Sequence, residues 1–451
     1  MERTEKREQW GSRIGFILAT AGSAVGLGNI WRFPYAAGEN GGAAFIFIYL
    51  AAVILIGFPL MSTEVALGRK TQKNPIGAFA ALAPSKSWHL VGVLIVTVAA
   101  FILSYYSIIG GWSLAYMTKS VVHGFKPGIN YEELFGGHIS QIWTPIIWHG
   151  LFMILTLTII ESGVIEGIQK WSKILMPSLF ILLVIMSVRS LTLPGASEGV
   201  KFFLKPDFSD ISFGTVQAAV SQAFYSLSIG MGPLITYGSY LGKDDNIPDN
   251  VGWVAGADTI VAIIAGLAIF PAVFAMGYDP DAGAGLAFIT LPAVFSQMPG
   301  GSIFGFVFFL LLSVAALTSS MSLLEVVVAW LIDEKGWNRR KASIGLGIII
   351  FVLGLPATLG YSALGHIKIW GMDLLDTYDF ITNNMVLPIT GLFTCLFAAY
   401  VWEVKNVKKE LNNPEGKIKF GSLYGILMKV VIPIALCFIM IMNLIEKFGA
   451  K

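Results

Sequence analysis

The first long apolar stretch of the chain contains three glycines within seven positions, Gly22, Gly26 and Gly28, closely followed by Asn29 and Arg32. A helix in hydrocarbon must satisfy its own backbone N–H and C=O groups, and each interior glycine disfavours it by about 1 kcal/mol. Irregular backbone is tolerated at this depth only where it is buried in protein or lines a cavity. The stretch therefore predicts a helix broken in mid-membrane, whose free amides and carbonyls form a binding site. The alternative is a flexible kink with small residues for close helix packing.

The composition indicates a membrane protein. Of the 451 residues, 55% are hydrophobic and 13% are charged, whereas soluble domains carry about 25% charged residues. The net charge of +2 gives no indication of nucleic-acid binding. Eleven apolar segments are each long enough to cross a bilayer, which needs about 20 residues. They lie at about 14–36, 42–67, 89–122, 143–160, 167–188, 214–240, 251–277, 302–332, 342–360, 372–402 and 420–446.

Lysine and arginine in the loops predict the orientation, because cytoplasmic loops carry an excess of both. Cations precede the first span and follow spans 2, 8 and 10, which share one side when eleven spans are counted. We therefore expect a multi-pass protein of the cell membrane with a cytoplasmic N-terminus. Residues 281–298 are apolar but too short and broken for a span, and predict a re-entrant or lid-like outer helix.

The sixth span repeats the anomaly of the first. Its segment Ser228-Ile229-Gly230-Met231-Gly232 has the same pattern of small and apolar residues as Ala24-Val25-Gly26-Leu27-Gly28. The two segments are five spans apart and therefore run in opposite directions. Interrupted helices at corresponding places in two halves indicate a transporter with inverted repeats and a mid-membrane site. We therefore predict an all-α protein that forms one domain over residues 1–451. Its first repeat lies at about 10–190, its second repeat at about 212–402, and an extra helix at about 420–446.

Such a site needs oxygen ligands, because a small hard cation prefers them and a broken helix offers free carbonyls. A carboxyl group inside a span, such as that of Asp258, indicates function by default. A protonated, merely hydrogen-bonded carboxyl is the alternative. For isolated hydroxyls the alternative is a bond to the carbonyl four residues earlier. The oxygen-bearing candidates are Asn29, Ser226, Ser228, Asp258, Thr318 and Ser319.

Long motifs spread over the whole chain carry a family resemblance. They include Arg7 and Trp10, Gly22 to Pro34, Glu39 to Gly42, Tyr105-Tyr106, Ser221 to Ser228, Ala315 to Ser320 and Asp376 to Phe380. In this order they closely resemble the neurotransmitter:sodium symporters, and the eleven spans are most similar to bacterial members that carry several hydrophobic amino acids. The resemblance implies a five-plus-five inverted repeat and sodium-coupled uptake of hydrophobic L-amino acids by alternating access, without enzymatic activity.

The resemblance also implies two sodium sites. One would use the carbonyls of Gly22, Val25 and Ala315 with the hydroxyls of Thr318 and Ser319. The other would use the carbonyl of Ala24 with Asn29, Ser226, Asp258 and the substrate's own carboxylate. An ion ligand supplied by the substrate couples the two affinities, since each partner then raises the affinity for the other.

Substrate contacts are implied in the same way. Amides from Ala24 to Gly28 and the Tyr106 hydroxyl would bind the carboxylate, and backbone carbonyls would bind the ammonium group. The residues implied for the substrate are Ala24, Gly26, Leu27, Gly28, Ile102, Tyr106, Tyr225, Ser226, Ser228, Met231, Ser319 and Leu323.

Two gates are implied by the resemblance. On the outer side Tyr106 and Tyr225 would close over the substrate, and Arg32 would pair with Asp379, with Asp376 as a competing partner. On the inner side the implied residues are Arg7 paired with Asp333, with Trp10, Ser239 and Tyr240 nearby. An ordinary solvated charge is the alternative for Arg7 and Asp333.

Chloride is the remaining ion to consider. Many animal members of the resembling family require it, and the resemblance places Ala262 where those members hold chloride with a serine. Asp258 lies one helical turn earlier, on the same helix face. Its carboxylate would supply the negative charge instead, so we expect transport that does not require chloride.

Two other classes of function compete with a transporter. A sodium channel is expected to have a ring of repeated filter residues, and none is visible in the sequence. A membrane-embedded enzyme would need catalytic side chains that converge on the glycine breaks, and the five histidines do not. In the fifth span, Gly167 and Pro177 predict either a segment that unwinds during transport or a static proline kink.

Overall fold

The structure, a computed structural model, describes residues 8–84, 86–280, 283–412 and 414–449, and within these ranges the chain forms helices and no strands. The helices are α1 (Arg13–Ala24), α2 (Gly28–Glu39), α3 (Ala43–Thr71), α4 (Pro75–Leu82), α5 (His89–Val122), α6 (Tyr131–Ile139), α7 (Trp143–Glu161), α8 (Val164–Leu191), α9 (Ala196–Leu204), α10 (Phe213–Ser226), α11 (Pro233–Gly238), α12 (Ile247–Ala275), α13 (Thr290–Gln297), α14 (Gly301–Lys335), α15 (Arg339–Tyr361), α16 (Leu374–Val401), α17 (Val404–Leu411) and α18 (Ser422–Phe448).

Nine helices in the described ranges are long and apolar enough to cross a membrane, and the bent pair α1 and α2 makes a tenth. The sixth predicted span consists of α10 and α11, with 14 and 6 residues. The break over residues 227–232 leaves each piece shorter than the roughly 20 residues that a bilayer needs. The predicted fold class, an all-α membrane protein with the first and sixth spans broken, is confirmed.

The first break lies between α1 and α2, whose axes differ by 48°. Val25 ends α1 in an extended conformation, with ψ at 96°. A Cβ atom at Gly26 would overlap with the hydroxyl groups of Ser319 and Tyr106. Glycine is therefore required here by the close approach of two side chains, in addition to its low helix propensity.

The second break depends on left-handed backbone. Ser228, Gly230 and Gly232 have φ angles of 54°, 77° and 97°. Glycine adopts this conformation without steric cost, whereas a residue with a Cβ atom rarely does. The alternating glycines in the sixth span thus permit the left-handed backbone that separates α10 from α11.

The broken helices lie in the middle of the bundle. The long helices α5 and α14 pack along one another, and α1 packs against α8, α12 and α14. The second broken helix packs mainly on α3, which contacts both α10 and α11. The unpaired backbone groups of both breaks are consequently buried in protein, which is the condition for irregular backbone at membrane depth.

Two further predicted segments have clear structures. The apolar segment 281–298 contains the short helix α13, which packs on α14, while residues 281 and 282 lie outside the described ranges. In the fifth span, Gly167 lies in a wide π-helical turn, Val164–Gln169, at the start of α8, and Pro177 lies inside the same helix. The unwinding of this segment during transport stays a prediction.

Candidate functional site

A narrow cavity lies where the two helix breaks meet α5 and α14. Ten of the twelve residues predicted for the substrate line it, and the other two, Leu27 and Ser226, do not. Ser23 and Ser322 line it as well, although the sequence analysis did not single them out. The lining residues are Ser23, Ala24, Gly26, Gly28, Ile102, Tyr106, Tyr225, Ser228, Met231, Ser319, Ser322 and Leu323.

Two tyrosines line the cavity near the first break. The backbone N–H of Leu27 donates a hydrogen bond of 2.8 Å to the hydroxyl of Tyr106, whose own proton is therefore available to another acceptor. The ring of Tyr225 lies next to Gly28, and the guanidinium carbon of Arg32 lies 4.7 Å from the centre of that ring. Arg32 and the two tyrosines thus occupy the same end of the site.

Asp258 is fully buried and joins four helices through its carboxylate. Oδ1 accepts hydrogen bonds from Asn29 Nδ2 at 2.8 Å and from the Ser226 hydroxyl at 3.0 Å. Oδ2 accepts from the Tyr49 hydroxyl at 3.1 Å and from Ser226 at 2.9 Å. Asn29 Oδ1 accepts from the backbone N–H of Gly26 at 3.2 Å, which orients the amide so that its NH₂ group faces Asp258.

Thr318 and Ser319 on α14 face the carbonyls that end α1. Thr318 Oγ1 lies 2.9 Å from the carbonyl oxygen of Ala315 and 3.4 Å from that of Val25. Ser319 Oγ lies 3.4 Å from the carbonyl oxygen of Gly22. The structure therefore brings together all five residues that the resemblance implied for one sodium site. The predicted back-bonding alternative is also present, since Thr318 lies 3.3 Å from the carbonyl of Val314.

The implied outer pair is not formed in this structure. Among the described residues, Arg32 and Asp379 are not joined by an ion pair, and the guanidinium group of Arg32 lies over the ring of Tyr225. Asp379 accepts a hydrogen bond of 2.5 Å from Asn383 on its own helix. The competing residue Asp376 forms no ion pair among the described residues either, and its backbone N–H donates to Asp373 at the start of α16.

The implied inner gate is partly outside the described residues, because Arg7 precedes them. Trp10 donates hydrogen bonds from its backbone to the carbonyl of Tyr240, at 3.1 Å, and from Nε1 to that of Tyr237, at 2.9 Å. Asp333 accepts two hydrogen bonds of 3.0 Å from Asn74. The segment before α1 is thus attached to the end of the second broken helix.

An ion-pair network beside Trp10 was missed by the sequence analysis. Glu325 is fully buried and accepts hydrogen bonds from the Tyr240 hydroxyl at 2.6 Å and from Arg339 at 2.7 and 3.1 Å. Arg339 also contacts Glu8, at 3.2 Å. Glu325, like Asp258, is a carboxyl group inside an apolar span, and this feature alone indicates a functional residue.

Glu64 carries the same signal and was also missed. It lies in the apolar α3, is fully buried, and accepts a hydrogen bond of 2.9 Å from the backbone N–H of Gly230. Its Oε2 atom has no hydrogen-bond partner within the described ranges. The side chain satisfies a backbone amide that the second helix break leaves open, and so helps to define the shape of the cavity.

Two broken helices that meet at a buried, oxygen-rich cavity in mid-bundle define a class of membrane transporter. Within that class, the chain belongs to the Sodium:neurotransmitter symporter family, which it matches over residues 7–126 and 139–450. The resemblance drawn from the sequence is confirmed. The protein is a multi-pass membrane transporter of a sodium-dependent family, and this is a family of transporters, not of enzymes.

The chain is similar to several other proteins over nearly its whole length. It is 40% identical over 445 residues to the uncharacterized sodium-dependent transporter YhdH of Bacillus subtilis, covering 98% of each chain. It is 36% identical to an uncharacterized sodium-dependent transporter of Haemophilus influenzae, covering 98% of this chain and 99% of the other. It is also similar to the crystal structure of MhsT in complex with L-phenylalanine, with a TM-score of 0.89, 44% identity, and coverage of 96% and 99%.

Proposed function

We propose that the protein is a sodium-coupled symporter that takes up aliphatic and aromatic L-amino acids across the cell membrane by alternating access, without requiring chloride. Its N-terminus would lie in the cytoplasm. The observation that carries the proposal is the cavity at the two helix breaks, which is lined both by hydroxyl-bearing residues and by the apolar side chains of Ile102, Met231 and Leu323. The similarity to MhsT, whose structure holds L-phenylalanine, supports this class of substrate.

The substrate would lie between the two helix breaks. Its carboxylate would contact the Tyr106 hydroxyl and free amides of the first break, and its ammonium group would contact free carbonyls. None of the described lining residues is charged, so a charged side chain would lack a counter-charge and be rejected. Met231 is unbranched and re-packs around side chains of different shape, which favours a broad specificity.

The arrangement of Thr318 and Ser319 fits a sodium ion as one transported cation. A hard cation of this size binds oxygen at about 2.3–2.6 Å, so adjacent ligands in an octahedral arrangement lie about 3.3–3.7 Å apart. The hydroxyl-to-carbonyl separations of 3.4 Å to Val25 and Gly22 fall within that range. We therefore assign this site to sodium. The Ala315 carbonyl would be a fifth ligand, and its present separation of 2.9 Å from Thr318 Oγ1 would have to widen when the ion binds.

The carboxylate of Asp258 would serve a second sodium ion together with Asn29, Ser226, the Ala24 carbonyl and the substrate carboxylate. Its three hydrogen-bond donors, Asn29, Tyr49 and Ser226, favour the ionised form, because an ionised carboxylate is only an acceptor. An ionised group here provides the negative charge that two buried cations require. This charge is the reason to expect that chloride is dispensable.

The proposal is tested by uptake into proteoliposomes with labelled leucine, valine, phenylalanine, tyrosine and tryptophan, and with lysine and glutamate as charged comparisons. We expect saturable uptake of the first five only, driven by an inward sodium gradient and unchanged when gluconate replaces chloride. The label should be recovered in chemically unchanged amino acid. Uptake without sodium, tight binding of lysine or glutamate, or sodium flux without substrate would contradict the proposal.

The Thr318 and Ser319 assignment makes a separate prediction. Thr318→Val with Ser319→Ala removes two hydroxyl ligands at nearly constant volume, and we expect the sodium concentration for half-maximal substrate binding to rise at least about tenfold. Ser313→Ala is the matched control, since its hydroxyl lies on the same helix but bonds only to the carbonyl of Phe309. Equal sodium dependence in the double variant and the control would refute the assignment.

A further inference from the structure

Two serines that line the cavity form a hydrogen-bonded pair. Ser23 lies near the end of α1 and Ser322 lies on α14, and they are 3% and 1% exposed. The Ser23 hydroxyl donates to Ser322 Oγ at 2.7 Å, and the Ser322 hydroxyl donates to the backbone carbonyl of Ser319 at 2.8 Å. Both hydroxyl protons are therefore used inside the protein.

The pair consequently offers acceptors and no donors to the cavity. A hydroxyl group has one proton to donate and two lone pairs that accept. Ser322 Oγ has one lone pair occupied by Ser23 and one remaining, and Ser23 Oγ accepts no hydrogen bond among the described residues. An apolar ligand group leaves no donor unpaired at this place, whereas an N–H or O–H group would gain a hydrogen bond.

One member of the pair, Ser322, lies next to an apolar residue of the cavity lining. Ser322 follows Ser319 by one turn of α14, about 4.5 Å along the helix axis. It directly precedes Leu323, which lines the cavity. The substrate carboxylate would lie at the Tyr106 hydroxyl and the Leu27 amide, and Leu27 follows Ser23 by four residues in the chain. Ser322, next to Leu323, is thus within reach of the substrate side chain, and Ser23 is hydrogen-bonded to Ser322.

We propose that Ser23 and Ser322 are specificity-determining residues that accept a hydrogen bond from an N–H or O–H group on the substrate side chain. This inference rests on the proposed function of the cavity and deepens it. Because the pair is already hydrogen-bonded, it tolerates phenylalanine and leucine. It adds affinity for tyrosine and tryptophan, whose side chains carry a donor.

The test compares matched ligands in the double variant Ser23→Ala with Ser322→Ala. Competition with labelled leucine in proteoliposomes gives the apparent affinities of tyrosine and phenylalanine, and of tryptophan and 3-benzothienylalanine, which lacks the indole N–H. We expect both ratios to fall about 5- to 10-fold, which corresponds to one neutral hydrogen bond. Phenylalanine and leucine should change less than about twofold.

The affinity ratios distinguish a role in specificity from a purely structural role of the two serines. If all affinities fall together and both ratios stay constant, the pair only joins α1 to α14 and the inference is wrong. If the double variant does not fold, Ser322→Ala alone should lower the tryptophan ratio, and Ser322→Thr, which keeps the hydroxyl, should preserve it. A wild-type protein that takes up none of these amino acids would refute the proposed function instead.

Discussion

Asp258→Asn is expected to abolish sodium-driven uptake when chloride is absent. The fully buried carboxylate accepts hydrogen bonds from three donors, Asn29, Tyr49 and Ser226. An asparagine would turn its own NH₂ group toward one of them and would remove the negative charge. Hydrogen bonds to charged groups contribute about 1.5–3 kcal/mol each, so losing one disrupts the arrangement of the proposed ligands, and the lost negative charge weakens sodium binding directly.

The measurement is uptake by Asp258→Asn and wild type, with chloride or gluconate as the anion. We expect equal wild-type uptake in both, and in the variant either no uptake or uptake that chloride restores. Asp249→Asn is the control, because this residue lies near the start of the same helix and bonds to the backbone of Lys417 and Ile418. A large loss of wild-type uptake in gluconate would show that Asp258 does not replace chloride.

Arg339→Gln is expected to have the second large effect. It leaves the fully buried carboxylate of Glu325 with the Tyr240 hydroxyl as its remaining donor. Removing one partner of a buried ion pair costs about 3–5 kcal/mol, since the other charge stays uncompensated. Because this network joins α14 to Tyr240 and Glu8 beside Trp10, we expect lower thermal stability and at least about tenfold slower uptake.

The adjacent residue provides the matched control. Arg340 pairs with Glu161 at 2.8 Å, but its side chain is 75% exposed, and exposed pairs contribute about 0–1 kcal/mol. Arg340→Gln should therefore be nearly silent. Adding Glu325→Gln to Arg339→Gln removes the uncompensated charge and should restore part of the stability, as a double-mutant cycle would measure. Equal behaviour of the two arginine variants would contradict a role for this network.

The broken helices could be predicted from the sequence because their cause is local. Glycine spacing in Gly22, Gly26 and Gly28 opposes a continuous helix whatever surrounds it. The contacts at Gly26 were not predictable in this way, since Tyr106 and Ser319 approach it from other helices. Family resemblance supplied those partners, and the structure places them around one cavity.

Some residues of the site could not be predicted from the local sequence. Ser23 and Ser322 are single serines in apolar spans, where a bond to the helix's own backbone is the ordinary outcome. Their contact joins residues 299 positions apart, which no pattern in the sequence indicates. Glu64 and Glu325 did carry a signal, because a carboxyl group in a span is costly. The Arg32 and Asp379 pair depends on side-chain rotamers that the sequence does not specify.

The break between α1 and α2 has a consequence for how the proposed substrate would be held. The first break leaves amides and carbonyls that a continuous helix would pair with its own next turn. An amino acid brings one carboxylate and one ammonium group, the same kinds of acceptor and donor that the missing turn would have provided. In the proposed complex the bound amino acid therefore supplies the hydrogen-bond partners that a continuous helix would have had. When the amino acid is released, α1 and α2 are again two separate helices.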